Sequence, residues 1–434
     1  MALEGKKLLV LGGTSASYDL VKIAKSMGIY VIVTDNSTQT SLTKNLADEI
    51  VSISTADICG LVDFVKKNNI DGAFCGPSEF NIGNLVKLCK EANLPCYCTP
   101  EQWALCSNKK TFKEYCIKND VPTAQEYTIK SFTDEISDKN VEYPVIVKPV
   151  DGCSSKGISI CHNRKEVLKA YNLALSASAC KHVIIEQYID NGGSIFSFRY
   201  ILDNGKYYPY LAFDTYIVDP IERKYLISAF TYFPSRHIDT FKNTLDANVR
   251  RMFADMGLKN GVAFIQAIPY KGKIYCHEMG YRLSGGMIYK ITKSLMGIND
   301  MEMMIRFALG EAIISPDEIM KINIEQSDCI MAQLMIPLNT GTIASIEGIN
   351  KIKTNEGVVD FLQYYQIGDS ISTHVMGTLG QHFGRFTLKT KSEKEMIDLV
   401  NFIQSNLYVK DYDGKDLFTM KFNPTRLTNH DSTY

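Results

Sequence analysis

The sequence predicts a fold in the α/β and α+β classes, built in three parts. Strand-like and helix-like segments alternate through the first hundred residues, antiparallel segments with tight turns follow, and glycine-marked strands fill the remainder. Strands separated by helices pair in parallel, which indicates an N-terminal doubly wound sheet. The other two parts predict a central α+β domain of two subdomains and a C-terminal strand-rich α+β domain. We expect the boundaries at 1–105, 106–315 and 316–434.

The N-terminal part carries short apolar runs that we expect to form parallel strands. These strands are expected over 7–12, 30–35, 49–53, 71–76 and 95–98. Ligands of such sheets bind beyond the carboxyl ends of the strands. The loops there include Gly12-Gly13 and Gly76-Pro77-Ser78-Glu79. Ser15 and Ser17 stand where a dinucleotide fingerprint has glycines, so a structural turn is favoured over an NAD site.

The central and C-terminal parts show helical periodicity and hairpin turns. Ser107 or Asn108 is placed to cap a helix, and Asn204-Gly205 and Lys271-Gly272 are typical hairpin turns. Helices are expected over 107–119, 164–178, 237–256 and 392–405, and strands over 144–149, 158–161, 182–189, 261–270 and 273–279. Residues 196–233 are expected to form a run of antiparallel strands joined by turns.

Composition excludes several classes of function. The 434 residues include 47 basic and 48 acidic ones, and the net charge of -1 gives no electrostatic reason to bind nucleic acid or an anionic membrane. No apolar run approaches the ~18 residues of a membrane span, and the first residues lack a signal-peptide pattern. We therefore expect a cytoplasmic protein. The twelve cysteines contain no CxxC pair, and with seven histidines they predict no zinc site.

Lys148 ends an apolar strand in the segment Pro-Val-Ile-Val-Lys-Pro. A charged group there is costly unless it has a partner. The small-residue loop Gly152-Cys-Ser-Ser-Lys-Gly157 follows at once and offers backbone amides, two hydroxyl groups and an ammonium group. Together they make a plausible cradle for a polyphosphate. The loop does not match the GxxxxGK[ST] pattern, so a P-loop fold is excluded.

The order of these features resembles the ATP-grasp superfamily over residues 5 to 310. The motifs that carry the resemblance are Asn108-Lys109, Val-Ile-Val-Lys148-Pro, Gly152–Gly157, Ile-Ile-Glu186-Gln-Tyr-Ile189, and His277-Glu-Met-Gly-Tyr-Arg282 followed by Ser284-Gly-Gly286. The C-terminal glycine pattern is similar to the last domain of L-amino-acid ligases and related purine-pathway enzymes such as phosphoribosylglycinamide synthetase.

The resemblance implies ATP and Mg²⁺ as cofactors and assigns a role to each motif. It implies that the lysines bind phosphates, that the loop closes as a lid within a subdomain of about 120–187, that the Glu186 segment holds adenine, and that Arg282 faces the transferred phosphoryl group. The residues it implies for ATP are Lys109, Lys148, Ser154, Ser155, Lys156, Gly157, Glu186, Gln187 and Ile189. Those for metal are Glu278 and Gln266, and those for substrate are Arg282, Ser284, Gly285 and Gly286, with Arg282 and Lys148 as the catalytic pair. Glu79, in a loop of the N-terminal part, is a separate substrate candidate.

The sequence departs from the family pattern at three places. Residues 191–202 contain no acid for the ribose hydroxyls, Gln266 replaces a metal-binding glutamate, and Gly280 replaces an asparagine. Glutamine brings no charge to a hard cation, so one magnesium ion is favoured over two. His277 is expected to point away from Glu278, because neighbours on a regular strand face opposite ways.

The resemblance therefore implies a carboxylate–amine ligase that works through an acyl phosphate and takes small-molecule substrates. Glu79 is expected to contact a polar or cationic group of the acceptor.

Two alternatives remain: an enzyme of the same fold that phosphorylates bicarbonate or formate, and an ATP-binding protein without catalysis. Relatives of this kind commonly form homodimers.

Overall fold

The computed structural model describes residues 3–14, 17–37, 39–132, 139–150, 157–218, 227–325 and 328–428. Within these ranges, no helix combines the length and apolar character that a bilayer crossing needs.

A parallel four-stranded sheet forms the N-terminal part, as predicted. Its strands are β1 (Lys7–Leu11), β2 (Tyr30–Thr34), β3 (Glu49–Val51) and β4 (Gly72–Phe74), in the order β3-β2-β1-β4. The helices are α1 (Tyr18–Ser26), α2 (Leu42–Leu46), α3 (Ile58–Asn68), α4 (Glu79–Ala92) and α5 (Pro100–Ser107). Apolar β1, β2 and β4 residues are buried between them, as in a doubly wound sheet.

The expected fifth strand at 95–98 is wrong. Pro95 has no N–H for a ladder, and the carbonyl oxygen of Tyr97 accepts a hydrogen bond from the hydroxyl group of Tyr281 at 2.8 Å. The buried ring of Tyr97 contacts that of Tyr281 edge-on. This segment therefore joins the N-terminal part to the central sheet.

A small antiparallel sheet follows, with strands β5 (Glu126–Tyr127), β6 (Val145–Pro149), β7 (Ser159–Cys161) and β8 (Val183–Gln187) in the order β5-β8-β6-β7. Helix α6 (Lys109–Lys118) precedes it, and α7 (Arg164–Ala177) covers one face. The side chain of Asn108 accepts hydrogen bonds from the backbone N–H groups of Lys110 and Thr111, which confirms the predicted cap.

An eight-stranded antiparallel sheet spans the rest of the molecule. In chain order its strands are β9 (Ser194–Asp203), β10 (Lys206–Ile217), β11 (Ser228–Phe233), β12 (Gly261–Tyr270), β13 (Lys273–Gly280), β14 (Ile330–Pro337), β17 (Val358–Gln363) and β19 (His382–Thr390). Their spatial order is β13-β12-β9-β10-β11-β14-β19-β17. Strands from the C-terminal region thus continue the central sheet, and the predicted turns at Asn204-Gly205 and Lys271-Gly272 join β9 to β10 and β12 to β13.

Two short strand pairs complete the C-terminal region: β15 (Gly341–Thr342) with β18 (Ser370–Ile371), and β16 (Ser345–Glu347) with β20 (Tyr408–Lys410). The remaining helices are α8 (Ile238–Thr244), α9 (Asp246–Asp255), α10 (Ile288–Met296), α11 (Asp300–Ala308), α12 (Pro316–Met320), α13 (Ile349–Lys353) and α14 (Glu393–Asn406).

The prediction of a single long helix over 237–256 is wrong, because the helix is interrupted at Leu245. That residue has a φ of -128° and a buried side chain. The carboxylate of Asp246 accepts hydrogen bonds from Tyr200 and Arg250, which hold the first residue of α9 in place. Helix α14, by contrast, lies within one residue of its prediction.

Candidate active site

The cleft between the small sheet and the eight-stranded sheet contains an ion-paired cluster centred on Glu186. The ammonium group of Lys148, at the end of β6, contacts one carboxylate oxygen of Glu186 on β8. The other oxygen lies 3.0 Å from Nζ of Lys113 on α6. Burial acts to raise the pKa of Glu186, but Lys148 and Lys113 outweigh it and hold this pKa below its usual range. Glu186 is therefore a buried anion between two cations.

Lys113 was not predicted from the sequence to be a site residue, although its spacing from Lys109 indicates that it could be one. It follows Lys109 by four residues, and residues at that spacing share one face of a helix. Both lysines therefore reach the cleft. Nζ of Lys113 also lies 3.4 Å from a carboxylate oxygen of Glu126, and Nζ of Lys109 lies 3.5 Å from Oε1 of Glu278 on β13.

Three oxygen-bearing side chains form a row across adjacent strands of the large sheet. Ser197 on β9 is directly opposite Gln266 on β12, and Gln266 is opposite Glu278 on β13. Residues directly opposite in antiparallel strands share a face, with Cβ atoms about 5 Å apart. The hydroxyl group of Ser197 is buried and has no hydrogen-bond partner among the described residues. A carboxylate, an amide oxygen and an uncommitted hydroxyl group fit a hard divalent cation.

Within the described residues, no group of three or more His, Cys, Asp or Glu side chains is arranged to hold a metal ion. The row above contains one such side chain, Glu278, beside neutral oxygen donors. It therefore fits a cation that retains several water ligands, as Mg²⁺ does.

The expected orientation of His277 is wrong. Cys276 is opposite Ala267 and Glu278 is opposite Gln266, so His277 is the extra residue of a β-bulge. A bulge interrupts the alternation of side chains along a strand. Burial and the positive charge of Lys148 lower the pKa of His277 to about 4, against the opposing effect of Glu278. Its imidazole group is therefore within electrostatic reach of Lys148, Glu186 and Lys109.

Arg282 lies just beyond the end of β13 and contacts two other parts of the molecule. Its Nη2 atom is 2.7 Å from Oε1 of Glu79, the first residue of α4. Its guanidinium group lies over the ring of Phe264, 5.1 Å from the centroid. Glu79 and Arg282 were both predicted as substrate residues, and the structure brings them into contact.

A second, buried arginine, Arg199, makes a cation–π contact with the same aromatic ring, that of Phe264. The guanidinium group of Arg199 lies 5.5 Å from the ring centroid of Phe264 and 5.2 Å from that of Phe213. Burial lowers the pKa of Arg199, while Tyr210 and Asp300 act in the opposite direction. The hydroxyl group of Tyr210 donates to Asp300 at 2.8 Å. No pattern in the sequence indicated that Arg199 faces this site.

The loop of Ser284, Gly285 and Gly286 follows Arg282 towards the C-terminal strands. Gly286 has a φ of +98°, in the left-handed region that favours glycine. Its carbonyl oxygen accepts a hydrogen bond of 2.8 Å from the amide group of Gln333 on β14. The loop is thereby held over the large sheet.

The predicted base-binding segment lies at the end of β8. The backbone N–H of Gln187 donates to the carbonyl oxygen of Gln125 at 2.8 Å, and its side chain donates to Glu142. Ile189 is buried. Gly157 has a positive φ of 73° and begins the described chain after the loop. Ser154, Ser155 and Lys156 lie outside the described residues.

Residues 118–279 match the family model described as D-ala D-ala ligase C-terminus. A similar relative is the formate-dependent phosphoribosylglycinamide formyltransferase of Sulfurisphaera tokodaii, 24% identical over 318 residues that cover 70% of this chain and 76% of that protein. The chain spans only about 30% of the carbamoyl phosphate synthase large chains that it also matches.

Solved structures show the same fold over nearly the whole chain. The L-amino acid ligase of Bacillus licheniformis has a TM-score of 0.77 at 18% identity, covering 94% of this chain and 99% of that one. The biotin carboxylase domain dimer of a Hydrogenobacter thermophilus 2-oxoglutarate carboxylase, in complex with MgADP and bicarbonate, has a TM-score of 0.72 at 19% identity, covering 98% and 97%. Residues 118–279 thus form a domain of the D-ala D-ala ligase C-terminus family, and the chain as a whole has the fold of these ligase and carboxylase structures.

Proposed function

We propose that the protein is an ATP-dependent carboxylate–amine ligase that forms an acyl phosphate and releases ADP and phosphate. One observation carries this proposal. Three cations from different elements reach one cleft, and each contacts a carboxylate there: Lys148 with Glu186, Lys109 with Glu278, and Arg282 with Glu79. Phosphoryl transfer depends on positioning and charge neutralisation rather than on a protein nucleophile, and this cleft supplies both.

ATP is proposed to bind with its base beside β8 and its phosphates towards β13. The N–H of Gln187 is already used within the small sheet, so its contribution to the base is the carbonyl oxygen, with the N–H of Ile189 as donor. Glu186 orients Lys148 and Lys113 rather than contacting the base directly. The loop that includes Ser154, Ser155, Lys156 and Gly157 is the proposed lid over the phosphates.

Magnesium is proposed to be held by Glu278, with Gln266 and Ser197 as neutral oxygen donors. The bound ion would neutralise phosphate charge and align the terminal phosphoryl group for transfer. Because Gln266 carries no charge, one ion is the proposed stoichiometry. Glu278 contacts Lys109 at present, and the ion and phosphates would separate the two.

The chemistry divides into two balanced steps. A carboxylate oxygen of the first substrate bonds to the γ-phosphorus atom, and the bond from that phosphorus to the β–γ bridging oxygen breaks to release ADP. The amine nitrogen of the second substrate then attacks the acyl carbon, phosphate leaves with the bonding electrons, and the nitrogen gives up a proton. Lys109, Lys148 and Arg282 neutralise the charge on the transferred group. A closed lid would protect the acyl phosphate from water.

The acceptor is proposed to bind between Glu79 and the loop of Ser284, Gly285 and Gly286. Glu79 is a carboxylate of the N-terminal part that contacts Arg282 beside this loop, and a protonated amine complements it. A second candidate activity is phosphorylation of formate or bicarbonate. It is favoured by the relative whose name describes a formate-dependent enzyme.

The test is ADP release from MgATP across a crossed panel of carboxylates and amines that includes formate, bicarbonate and the amino acids. Release that needs one carboxylate and one amine, and that is lost in Lys148→Ala, would support the ligase. Release with formate or bicarbonate alone would replace it by the second candidate. A wild-type protein that binds ATP with no turnover on any pair would count against both activities.

The proposed enzyme is a cytoplasmic homodimer with small-molecule substrates. The eleven cysteines in the described ranges are all free thiols, which suits a reducing compartment. A related biotin carboxylase domain is described as a dimer. Sedimentation equilibrium distinguishes a dimer from the 48.7 kDa monomer.

A further inference from the structure

Arg385 lies on β19, in the C-terminal region, and its guanidinium group approaches the loop that follows Arg282. A Cβ atom built on Gly286 would stand 3.1 Å from Nη1 of Arg385. The carbonyl of the same glycine is held by Gln333 on β14, the strand next to β19. Arg385 is therefore positioned beside the proposed acceptor space rather than on the outer surface.

The guanidinium group of Arg385 lacks a counter-charge. Its Nε and Nη1 atoms are buried and have no hydrogen-bond partner among the described residues. Over the same ranges, Arg385 forms no ion pair, whereas Arg282 contacts Glu79 and Arg236 contacts Glu393. A half-buried arginine whose charge is unpaired is costly. Such a cost is tolerated where a ligand supplies the missing charge.

We propose that Arg385 binds an oxyanionic group, a carboxylate or a phosphate, that one substrate carries in addition to its reacting group. This inference rests on the proposed function for the identity of the site, but the anion subsite is testable without turnover. It makes the C-terminal region a determinant of substrate specificity.

The neighbouring residues support an anion rather than another ligand. Guanidinium donors match the oxygen atoms of carboxylate and phosphate groups. The glycine at 286 leaves the space beside Nη1 that a side chain would fill. Gln333 secures the loop from below, while Gly285 and Gly286 allow its backbone to adjust as the anion enters.

The first experiment uses inorganic phosphate as the probe and thermal unfolding as the readout, in saturating MgADP so that the nucleotide site is filled. We expect phosphate to raise the Tm of the wild type and of Lys389→Gln. Lys389 is the matched control because it is an exposed cation on β19, about 13 Å along the strand from Arg385. We expect Arg385→Gln to lose the phosphate-dependent rise, and Arg385→Lys to keep part of it.

The phosphate-free Tm separates a ligand role from a structural one. Removing an unpaired buried charge should leave the Tm of Arg385→Gln equal to or above that of the wild type. The proposal would be overturned if both Arg385→Gln and Arg385→Lys had a lower phosphate-free Tm than the wild type and phosphate still raised the Tm of either variant as much as that of the wild type. If phosphate still raises the Tm of Arg282→Gln, the anion binds at Arg385 rather than beside Arg282. If the phosphate-dependent rise is lost in Arg282→Gln but kept in Arg385→Gln, the assignment to Arg385 is refuted.

The second experiment follows once the substrates are identified. We expect Arg385→Gln to raise the KM of one substrate about 10- to 150-fold, as for the loss of a charge-assisted hydrogen bond, with the KM of ATP unchanged. An analogue of that substrate in which a carboxamide or hydroxyl group replaces the anion should react equally with both proteins. Carboxylate and phosphate analogues identify which oxyanion is bound. Equal KM values for every substrate in wild type and variant would disprove the subsite.

The two proposals fail in distinguishable ways. A phosphate response that depends on Arg385, in a protein that turns over no carboxylate–amine pair, would preserve the anion subsite and reject the ligase. Ligase turnover with no effect of Arg385→Gln on KM or on the phosphate response would do the reverse.

Discussion

Arg282 and Glu79 connect the end of β13 to the first turn of α4, with Nη2 2.7 Å and Nε 3.2 Å from the same carboxylate oxygen. The Arg282 side chain is 17% exposed and that of Glu79 is 60% exposed. The arginine is thus fixed by packing on Phe264, whereas the glutamate can turn away from it. An incoming phosphoryl group would compete with Glu79 for Arg282, and an incoming amine would compete with Arg282 for Glu79.

Glu79→Gln tests this exchange. We expect the KM of the amine to rise about tenfold, because a charge-assisted hydrogen bond becomes a neutral one, while the KM of ATP stays within about twofold. Steady-state kinetics with each substrate varied in turn provides the measurement. Glu91→Gln, an exposed change on the same helix, is the control. A rise in the KM of ATP alone would place Glu79 at the nucleotide instead.

Lys113→Met tests the cluster around Glu186. The lysine side chain is 11% exposed and its partner 10%, so removing it leaves a buried carboxylate with Lys148 as its remaining close cation. Loss of one partner from a buried pair is strongly destabilising, and because Lys148 remains beside Glu186 we expect the free energy of unfolding to fall by about 3 kcal/mol, the lower end of the usual range. Urea denaturation measures the change.

Lys110→Met is the matched control for Lys113→Met, since Lys110 is an exposed residue of the same helix. In a Lys113→Met background, Glu186→Gln should lower the free energy of unfolding by less than it does in the wild type. The reason is that the carboxylate it removes has already lost one of its two cationic partners. Equal costs in the two backgrounds would show that Lys113 and Glu186 do not interact energetically.

Gln266→Glu tests the metal row. Placing a second carboxylate opposite Glu278 gives a hard cation two charged ligands. We expect the Mn²⁺ bound per chain, in the presence of a non-hydrolysable ATP analogue, to rise from one to two by electron paramagnetic resonance. Without metal the two carboxylates repel each other across the strands, so the metal-free Tm should fall and recover with Mg²⁺. An unchanged Mn²⁺ count would remove Gln266 from the site.

Much of the fold followed from periodicity and turn chemistry. The hairpin turns predict the β9–β10 and β12–β13 pairs, and Asn108 predicts the start of α6. The prediction of a strand at 95–98 was wrong because this segment packs against Tyr281 rather than joining a sheet. The prediction of one helix over 237–256 was wrong because the helical pattern continues through Leu245, whereas the backbone of this buried residue leaves the helical conformation and separates α8 from α9.

The site divides in the same way. Lys109, Lys148, Glu186, Glu278 and Arg282 were expected from motif order, and the structure brings them to one cleft. His277, Arg199 and Arg385 could not be placed from the sequence. A one-residue bulge sets the direction of His277, and the other two face the site through pairings between strands far apart in the chain.

His382 provides a prediction of pH dependence away from the proposed metal ligands. Burial lowers its pKa to about 4; the carbonyl oxygen of Ser228, 2.9 Å from Nε2, opposes this effect and the charge of Arg385 adds to it. A histidine with a depressed pKa stabilises the fold fully above its unfolded pKa of about 6.5 and loses that contribution as pH falls towards 4.

We therefore expect the free energy of unfolding of the wild type to fall more than that of His382→Gln between pH 7 and pH 4. The difference should grow to at most about 3 kcal/mol, the value of a shift of this size. Urea denaturation across that pH range measures it, with His162→Gln at an exposed position as the control. Parallel pH profiles for wild type and His382→Gln would show that His382 is protonated as readily in the folded protein as in the unfolded chain.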